Sequence, residues 1–278
     1  MSVTEMRLAC KPADYKSEVK PVWCPGCGDY AVLAAFTRAF ADLGRPPEQI
    51  AVVSGIGCSS RIPAYINCYG FHGVHGRSLA LATGLKVARP DLTVVVASGD
   101  GDGYSIGCNH FLHACRRNVD MTYIVMDNRI YGMTKGQPSP TTEPDLDTAL
   151  SPGGTGLRPF HPLGIALASG ANFVARAFSG EPNETASMIV EAIRHPGFSF
   201  IEILSPCLTL RPDEKEWKNL VHPMPVAETD DSGRAARRIM TDDGFTIGIL
   251  YRGDRPPYRP KAGDGITDLA ELEREFEL

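Results

Sequence analysis

The chain has no apolar run long enough to span a bilayer. Met1 to Lys20 mixes Glu5, Arg7, Lys11, Asp14, Lys16 and Glu18 and has no apolar core, so no secretory signal is expected. Positive charge is not in surplus. The formal net charge is -5, which argues against a nucleic-acid or membrane surface. No internal repeat or low-complexity block interrupts the 278 residues. What remains is an ordinary globular composition, 43% hydrophobic and 22% charged, with enough apolar residues for a sizeable core. The length allows one large α/β domain or two small ones. The expected location is the cytoplasm, where stable disulfides are rare. The eight cysteines therefore need another role, as metal ligands, redox thiols or small buried residues.

Short apolar runs alternate with helix-like segments. The expected strands are Ile50–Ser54, Thr93–Ala97, Thr122–Met126, Phe173–Ala177 and Ser199–Leu204. They are rich in Val and Ile and mostly lack polar alternation, as strands buried on both faces of a parallel sheet do. Helical spacing marks Tyr30–Leu43, Gly76–Ala88, Tyr104–Arg116 and Glu184–Arg194. The alternation predicts an α/β fold with a doubly wound, mainly parallel sheet. Residues 1–20 read as an N-terminal arm, 21–207 as the main domain, and 208–278 as a C-terminal extension. Within that extension Glu228–Asp242 looks helical, Phe245–Tyr251 reads as an added strand, and Ile266–Leu278 as an acidic amphipathic tail. Lys135–Phe160 carries five prolines and reads as a long loop, a class that is often functional.

The unusual residues fall at strand ends. Gly55-Ile-Gly-Cys58, Gly99-Asp-Gly-Asp-Gly103, Asp127-Asn-Arg-Ile-Tyr-Gly132 and Ser205-Pro-Cys207 each follow an expected strand. That is the edge where open α/β sheets bind ligands. A glycine-rich helix start suits phosphate oxygens, and a divalent cation neutralises what remains. Magnesium takes hard oxygen ligands. Asp100, Asn128 and the backbone carbonyl of Ile130 supply them. Gly-Asp-Gly followed by an Asn after a hydrophobic strand resembles the thiamine-diphosphate motif. Asp100 holds the motif position, and Asp102 is expected to cap the following helix.

Cys24-Pro-Gly-Cys27 alone is ambiguous between a redox pair, half a zinc site and half an iron–sulfur site. Cys58 and Cys207 lie at the same sheet edge as the diphosphate motif. Four thiolates from three loops suit zinc or a cubane cluster. Adjacency to thiamine chemistry favours the cluster, because zinc cannot accept electrons. Cys108 and Cys115 share one helix face and read as core residues. Cys10 and Cys68 carry no assigned role.

Taken together these segments resemble the β subunit of 2-oxoacid:ferredoxin oxidoreductases across residues 20–252. The carrying motifs are Trp23-Cys-Pro-Gly-Cys-Gly28, Gly55-Ile-Gly-Cys-Ser59, Tyr69-Gly-Phe-His-Gly-Val-His-Gly-Arg77, Gly99-Asp-Gly-Asp-Gly103 and Asp127-Asn-Arg-Ile-Tyr-Gly-Met-Thr-Lys-Gly-Gln137. The resemblance implies the thiamine-diphosphate-binding fold and one [4Fe–4S] cluster on Cys24, Cys27, Cys58 and Cys207. It implies cofactor contacts from Ile56, Gly57, Cys58, Ser59, His75, Gly101, Asp102, Tyr131 and Gly132, and magnesium on Asp100, Asn128 and Ile130. Arg211-Pro-Asp-Glu-Lys-Glu-Trp217 resembles the 2-oxoglutarate branch. The implied reaction is reversible, coenzyme A-dependent decarboxylation of 2-oxoglutarate, with ferredoxin taking the electrons.

Lys135 and Arg61 stand just past two of the motifs and are expected to meet substrate carboxylates. His72 is read as either a site residue or a satisfied structural histidine. One part is missing. Thiamine enzymes usually use a glutamate on the aminopyrimidine ring, and Glu143 and Glu202 are poor candidates. The resemblance implies that an α subunit supplies it, in an α2β2 complex. Pyruvate as substrate, a non-redox thiamine-dependent lyase with structural zinc, and a zinc-binding scaffold are the competing readings.

Overall fold

The computed structural model describes residues 10–259 and Arg274. Residues 1–9, and the tail expected over Ile266–Leu278 apart from Arg274, lie outside the described residues. The strands are β1 Ile50–Ser54, β2 Tyr69–His72, β3 Thr93–Gly99, β4 Met121–Asp127, β5 Ile130–Tyr131, β6 Gln137–Pro138, β7 Phe173–Phe178, β8 Phe198–Leu204, β9 His222–Pro223 and β10 Thr246–Arg252. The helices are α1 Asp29–Leu43, α2 Ile62–Tyr65, α3 Ser78–Ala88, α4 Cys108–Arg117, α5 Pro162–Ala168, α6 Pro182–Arg194, α7 Trp217–Leu220 and α8 Ser232–Met240. An eight-stranded sheet runs in the order β2-β1-β3-β4-β8-β7-β10-β9. It is parallel from β2 through β7, and β10 joins antiparallel to β7. None of the helices is long and apolar enough to cross a membrane, among the described residues.

Alternation along the strands splits the core in two. Val52, Val95, Ile124 and Ile201 point into the layer under α1 and α6. Their neighbours Val53, Val94, Val125 and Phe200 point into the layer under α3, α4 and α5. Both faces are covered, so the strands need no polar residues, which is why the sequence shows short continuous apolar runs.

All five expected strands form, and so does the added one. Strand β2 was not expected. It is a short edge strand, exposed at all four residues, with no run of branched apolar side chains to mark it. The helix expected over Tyr104–Arg116 is broken. A π-type turn covers Gly101–Ile106, Ser105 leaves helical geometry, and α4 starts at Cys108. The helix expected over Glu228–Asp242 is shorter. It starts at Ser232, where the Asp231 carboxylate caps the Arg234 N–H at 2.9 Å. Past the boundary expected at 207 the same sheet continues, with β10 antiparallel to β7 and β9 parallel to β10.

Candidate active site

The loops after β1, β3 and β4 leave the sheet at one edge and enclose a cavity of about 400 Å³. Parallel strands end on the same side, so residues far apart in sequence converge there. Ile56, Gly57, Cys58, Ser59, His75, Gly101, Asp102, Tyr131 and Gly132 all line it, as do Asp100, Asn128 and Ile130. Each was named from sequence as a cofactor or cation contact.

Asp100 is 3% exposed. Burial raises its carboxyl to about 6, against hydrogen bonds from Ser139, Gly101 and Thr141 that favour the charged form. Asp127 lies behind it, joined through the Thr141 hydroxyl, which is 3.1 Å from Asp100 Oδ2 and 2.8 Å from Asp127 Oδ1. Burial, then Asp100 and Glu202, push Asp127 well above the ordinary range. A bound cation reverses that logic, because its charge offsets the desolvation of the carboxylate. The donors present, a carboxylate, the Asn128 amide and the Ile130 carbonyl, are the hard oxygens that magnesium takes. Gly101 must be glycine: a Cβ there would lie 2.3 Å from the Tyr131 ring, whose hydroxyl donates to the Gly101 carbonyl at 3.0 Å.

Asp102 does not cap the following helix. It lies inside the π-type turn, 2% exposed, and accepts from the Ile56 and Gly76 N–H groups at 2.9 and 2.7 Å. Ser98 Oγ adds a bond at 2.9 Å, and His75 Nδ1 sits 2.8 Å away. The carboxylate thus ties three loops together. His72 takes the structural reading: its Nδ1 faces Ser54 Oγ at 3.0 Å and the Ser60 carbonyl at 2.7 Å.

Of the four cysteines, Cys58 lines the cavity and Cys207 lies beside the lining residue Gly132. A Cβ on Gly132 would lie 3.6 Å from Cys58 Sγ and 3.9 Å from Cys207 Sγ. Burial raises the Cys58 thiol to about 11, with further contributions from Asp29, Cys207 and Cys24. Cys27 is pushed well above the ordinary range by burial, then by Asp29, Cys207 and Cys58. Cys207 also rises through burial and feels Cys24. The Cys58 and Cys207 thiols thus lie within electrostatic reach of Cys24, and the Cys27 thiol within reach of Cys58 and Cys207. Among the described residues, no three His, Cys, Asp or Glu side chains are arranged to chelate a single ion.

Several site residues escaped the sequence. Asp29 begins α1, is 4% exposed, lines the cavity, and accepts from Ser205 Oγ at 3.1 Å. Its carboxyl is raised by burial to about 6. An acidic residue in a first helical turn reads simply as a favourable helix end. Cys207 donates its N–H to Glu214 Oε2 at 2.7 Å, and Glu214 is buried. Its sequence signal was membership of the Arg211–Trp217 segment, in which no residue was given a role. Glu143 instead pairs with Arg129 and Arg211, and Glu202 with Arg176. Neither lines the cavity.

Lys135 and Arg61 also stay off the cavity wall. Lys135 is exposed, with φ 74°, in the turn between the lining residues Thr134 and Gln137. Arg61 donates from Nε to the Tyr65 hydroxyl at 3.0 Å. Of the remaining cysteines, Cys115 is fully buried in the core, and Cys108, Cys10 and Cys68 are partly buried.

The family of thiamine pyrophosphate enzymes, C-terminal TPP binding domain, matches residues 55–203. A 2-oxoglutarate oxidoreductase subunit KorB of Mycobacterium tuberculosis is 47% identical over 71% of this chain and 53% of its own length. The chain thus matches about half the length of that relative. A 2-oxoglutarate synthase subunit KorB of Methanothermobacter marburgensis is 46% identical over 90% of this chain and 88% of its own. The solved 2-oxoglutarate:ferredoxin oxidoreductase of Magnetococcus marinus, with 2-oxoglutarate, coenzyme A and succinyl-CoA bound, superposes with a TM-score of 0.88. It is 41% identical and covers 97% of both chains. The chain belongs to the thiamine pyrophosphate enzymes and, among them, to the β subunits of the 2-oxoacid:ferredoxin oxidoreductases.

Proposed function

We propose that this chain is the β subunit of a cytoplasmic 2-oxoglutarate:ferredoxin oxidoreductase, which decarboxylates 2-oxoglutarate oxidatively with coenzyme A and fixes CO2 in reverse. The observation that carries the reading is the convergence of Asp100, Asn128 and Ile130 on one cavity wall with Cys58, whose sulfur lies beside Gly132 together with that of Cys207. The names of the relatives, and the ligands of the Magnetococcus marinus enzyme, support the substrate.

When bound, thiamine diphosphate supplies an electron sink for loss of CO2, and a [4Fe–4S] cluster carries electrons singly. The chain's own residues hold and orient. Asp100, Asn128 and the Ile130 carbonyl hold the magnesium ion of the diphosphate. The glycines around Asp100 let backbone N–H groups approach phosphate. Cys24, Cys27, Cys58 and Cys207 hold the cluster, with Cys24 the exposed ligand. Lys135, at the rim, meets the distal carboxylate of the substrate, and Arg61 is the more remote candidate.

Ile56 and Met133 line the cavity mouth and are 40% and 46% exposed. Two half-exposed apolar side chains are too few to mark an interface by themselves, and the partner reading rests on the subunit names of the relatives. An α subunit fits there and brings the glutamate that this cavity lacks, in an α2β2 complex. Ferredoxin then receives the electrons.

The test is an anaerobic assay of the purified α-plus-β complex against a panel of 2-oxoacids, with coenzyme A and ferredoxin. A brown complex that reduces ferredoxin on 2-oxoglutarate is expected. Preference for pyruvate replaces the substrate. A colourless complex holding one zinc per β chain removes the redox reading.

A further inference from the structure

A chain of charges, partly exposed at Arg129 and Glu143 and buried at Arg211 and Glu214, joins the turn after β4 to the turn after β8. Arg129 sits between Asn128 and Ile130, in the left-handed region at φ 53°. That conformation costs a non-glycine residue about 1 kcal/mol. Contacts to its side chain hold it there. Its guanidinium stacks 4.8 Å from the Trp217 ring and 5.1 Å from the Phe245 ring. Its NH1 meets Glu143 Oε1 at 2.7 Å. The other oxygen of Glu143 meets Arg211 NH1 at 3.1 Å. Arg211 NH1 faces Glu214 Oε1 at 3.5 Å, an ionic contact too long for a hydrogen bond. Glu214 Oε2 then takes the Cys207 N–H at 2.7 Å.

Each member is held by the next. The Arg211 and Glu214 side chains are 6% and 0% exposed, and charges so buried need their partners. Burial alone would raise the Glu143 carboxyl, but Arg129 and Arg211 hold it below the ordinary range. Glu143 is the bridging member, reaching in from the proline-rich loop with one oxygen for each arginine.

We propose that Glu143 is a positioning residue that sets the turn of Asn128 and Ile130 against the turn of Cys207, and so sets the distance between the two cofactors. The proposal rests on the reading that these turns hold the magnesium diphosphate and the cluster. Electron transfer between two groups depends on their separation, so a rigid strut between their turns has a function beyond stability. Residues that touch metal-holding groups commonly change affinity 10–100-fold when replaced, and Glu143, which acts one contact further out through Arg129 and Arg211, is expected at the low end of that range.

The experiment uses the anaerobic α-plus-β complex with Glu143→Gln and, as a control, Asp213→Asn. Asp213 also pairs with Arg211, at 3.1 Å, but does not reach Arg129. Three quantities are read: iron content, affinity for thiamine diphosphate with magnesium, and the reduction potential and paramagnetic-resonance signal of the reduced cluster. Glu143→Gln is expected to keep its iron, bind thiamine diphosphate about tenfold more weakly, and shift the cluster potential positive with an altered signal. Asp213→Asn is expected to change none of these. If Glu143→Gln fails to assemble, Glu143→Asp, which keeps the charge but is too short to span both arginines, must show the same double response. A response at one cofactor only, or at neither, overturns the proposal even where thermal stability falls. A wild-type complex without iron overturns the cluster reading instead.

Discussion

His75 Nδ1 and Asp102 Oδ1 lie 2.8 Å apart, joining the loop that precedes α3 to the turn that follows β3. The same oxygen takes the Ile56 N–H, so one carboxylate sets the cavity wall from three directions. His75 is partly open, with a side chain 40% exposed, whereas the Asp102 side chain is 1% exposed.

That asymmetry orders two substitutions. Asp102→Ala removes the one oxygen that accepts from both the Ile56 and the Gly76 N–H groups, leaving buried donors unpaired. It is expected to cost about 2–4 kcal/mol of stability. His75→Ala removes a half-exposed partner and is expected to cost about 1 kcal/mol or less. Urea unfolding of both variants checks the order. Equal losses would show that Asp102 is not the hub.

The Asp100 carboxyl rises to about 6 from its ordinary 3.8 because it is buried. A raised carboxyl gives stability that is complete below 3.8 and lost as pH rises through about 6. Without cofactor, Asp100→Asn is therefore expected to be more stable than wild type at pH 8, by on the order of 2 kcal/mol. The gap should close towards pH 5. Magnesium with thiamine diphosphate should stabilise wild type at pH 8 and leave the variant nearly unmoved. Thermal unfolding at both pH values decides this; a variant stabilised as much as wild type would take Asp100 off the cation.

Cys207→Ser is expected to lose the brown colour and most of the iron, because its sulfur lies beside Gly132 with that of Cys58. Cys68→Ser should keep both, since Cys68 packs against the core away from the cavity. Iron analysis of anaerobic samples separates them. Full iron in Cys207→Ser would mean a different fourth ligand.

Lys135 stands in an exposed turn between two residues of the cavity wall. Lys135→Ala is expected to raise KM for 2-oxoglutarate about tenfold, the loss of roughly one exposed charge-assisted contact. The kcat should change little, because the contact is made equally before and during reaction. Arg61→Ala should move KM less, since Arg61 is engaged by Tyr65. Equal effects would rank Arg61 with Lys135.

Much of this protein was legible in the sequence because its chemistry is local. A parallel sheet buried on both faces requires short apolar runs, and those runs placed five strands. Glycine–aspartate turns at their ends placed Asp100 and Asn128, and cysteines beside Gly and Pro placed the thiols. The exposed edge strand β2 and the break at Ser105 left no such trace, since neither depends on a run of one residue type.

The sequence by itself determined which residues stand at the sheet edge, because periodicity and turn chemistry act over a few neighbours. Only the tertiary structure decided what those residues do to one another. Asp102 read as a helix cap and proved to be a three-loop tie, because its donors come from Ile56 and Gly76. Glu143 read as a poor candidate for the ring glutamate and Glu214 as one residue of the Arg211–Trp217 segment, and both proved to bridge two turns, because Arg129, Arg211 and Cys207 meet them only when β4 and β8 lie side by side. Burial and long-range pairing depend on the whole sheet, and no local window of sequence contains them.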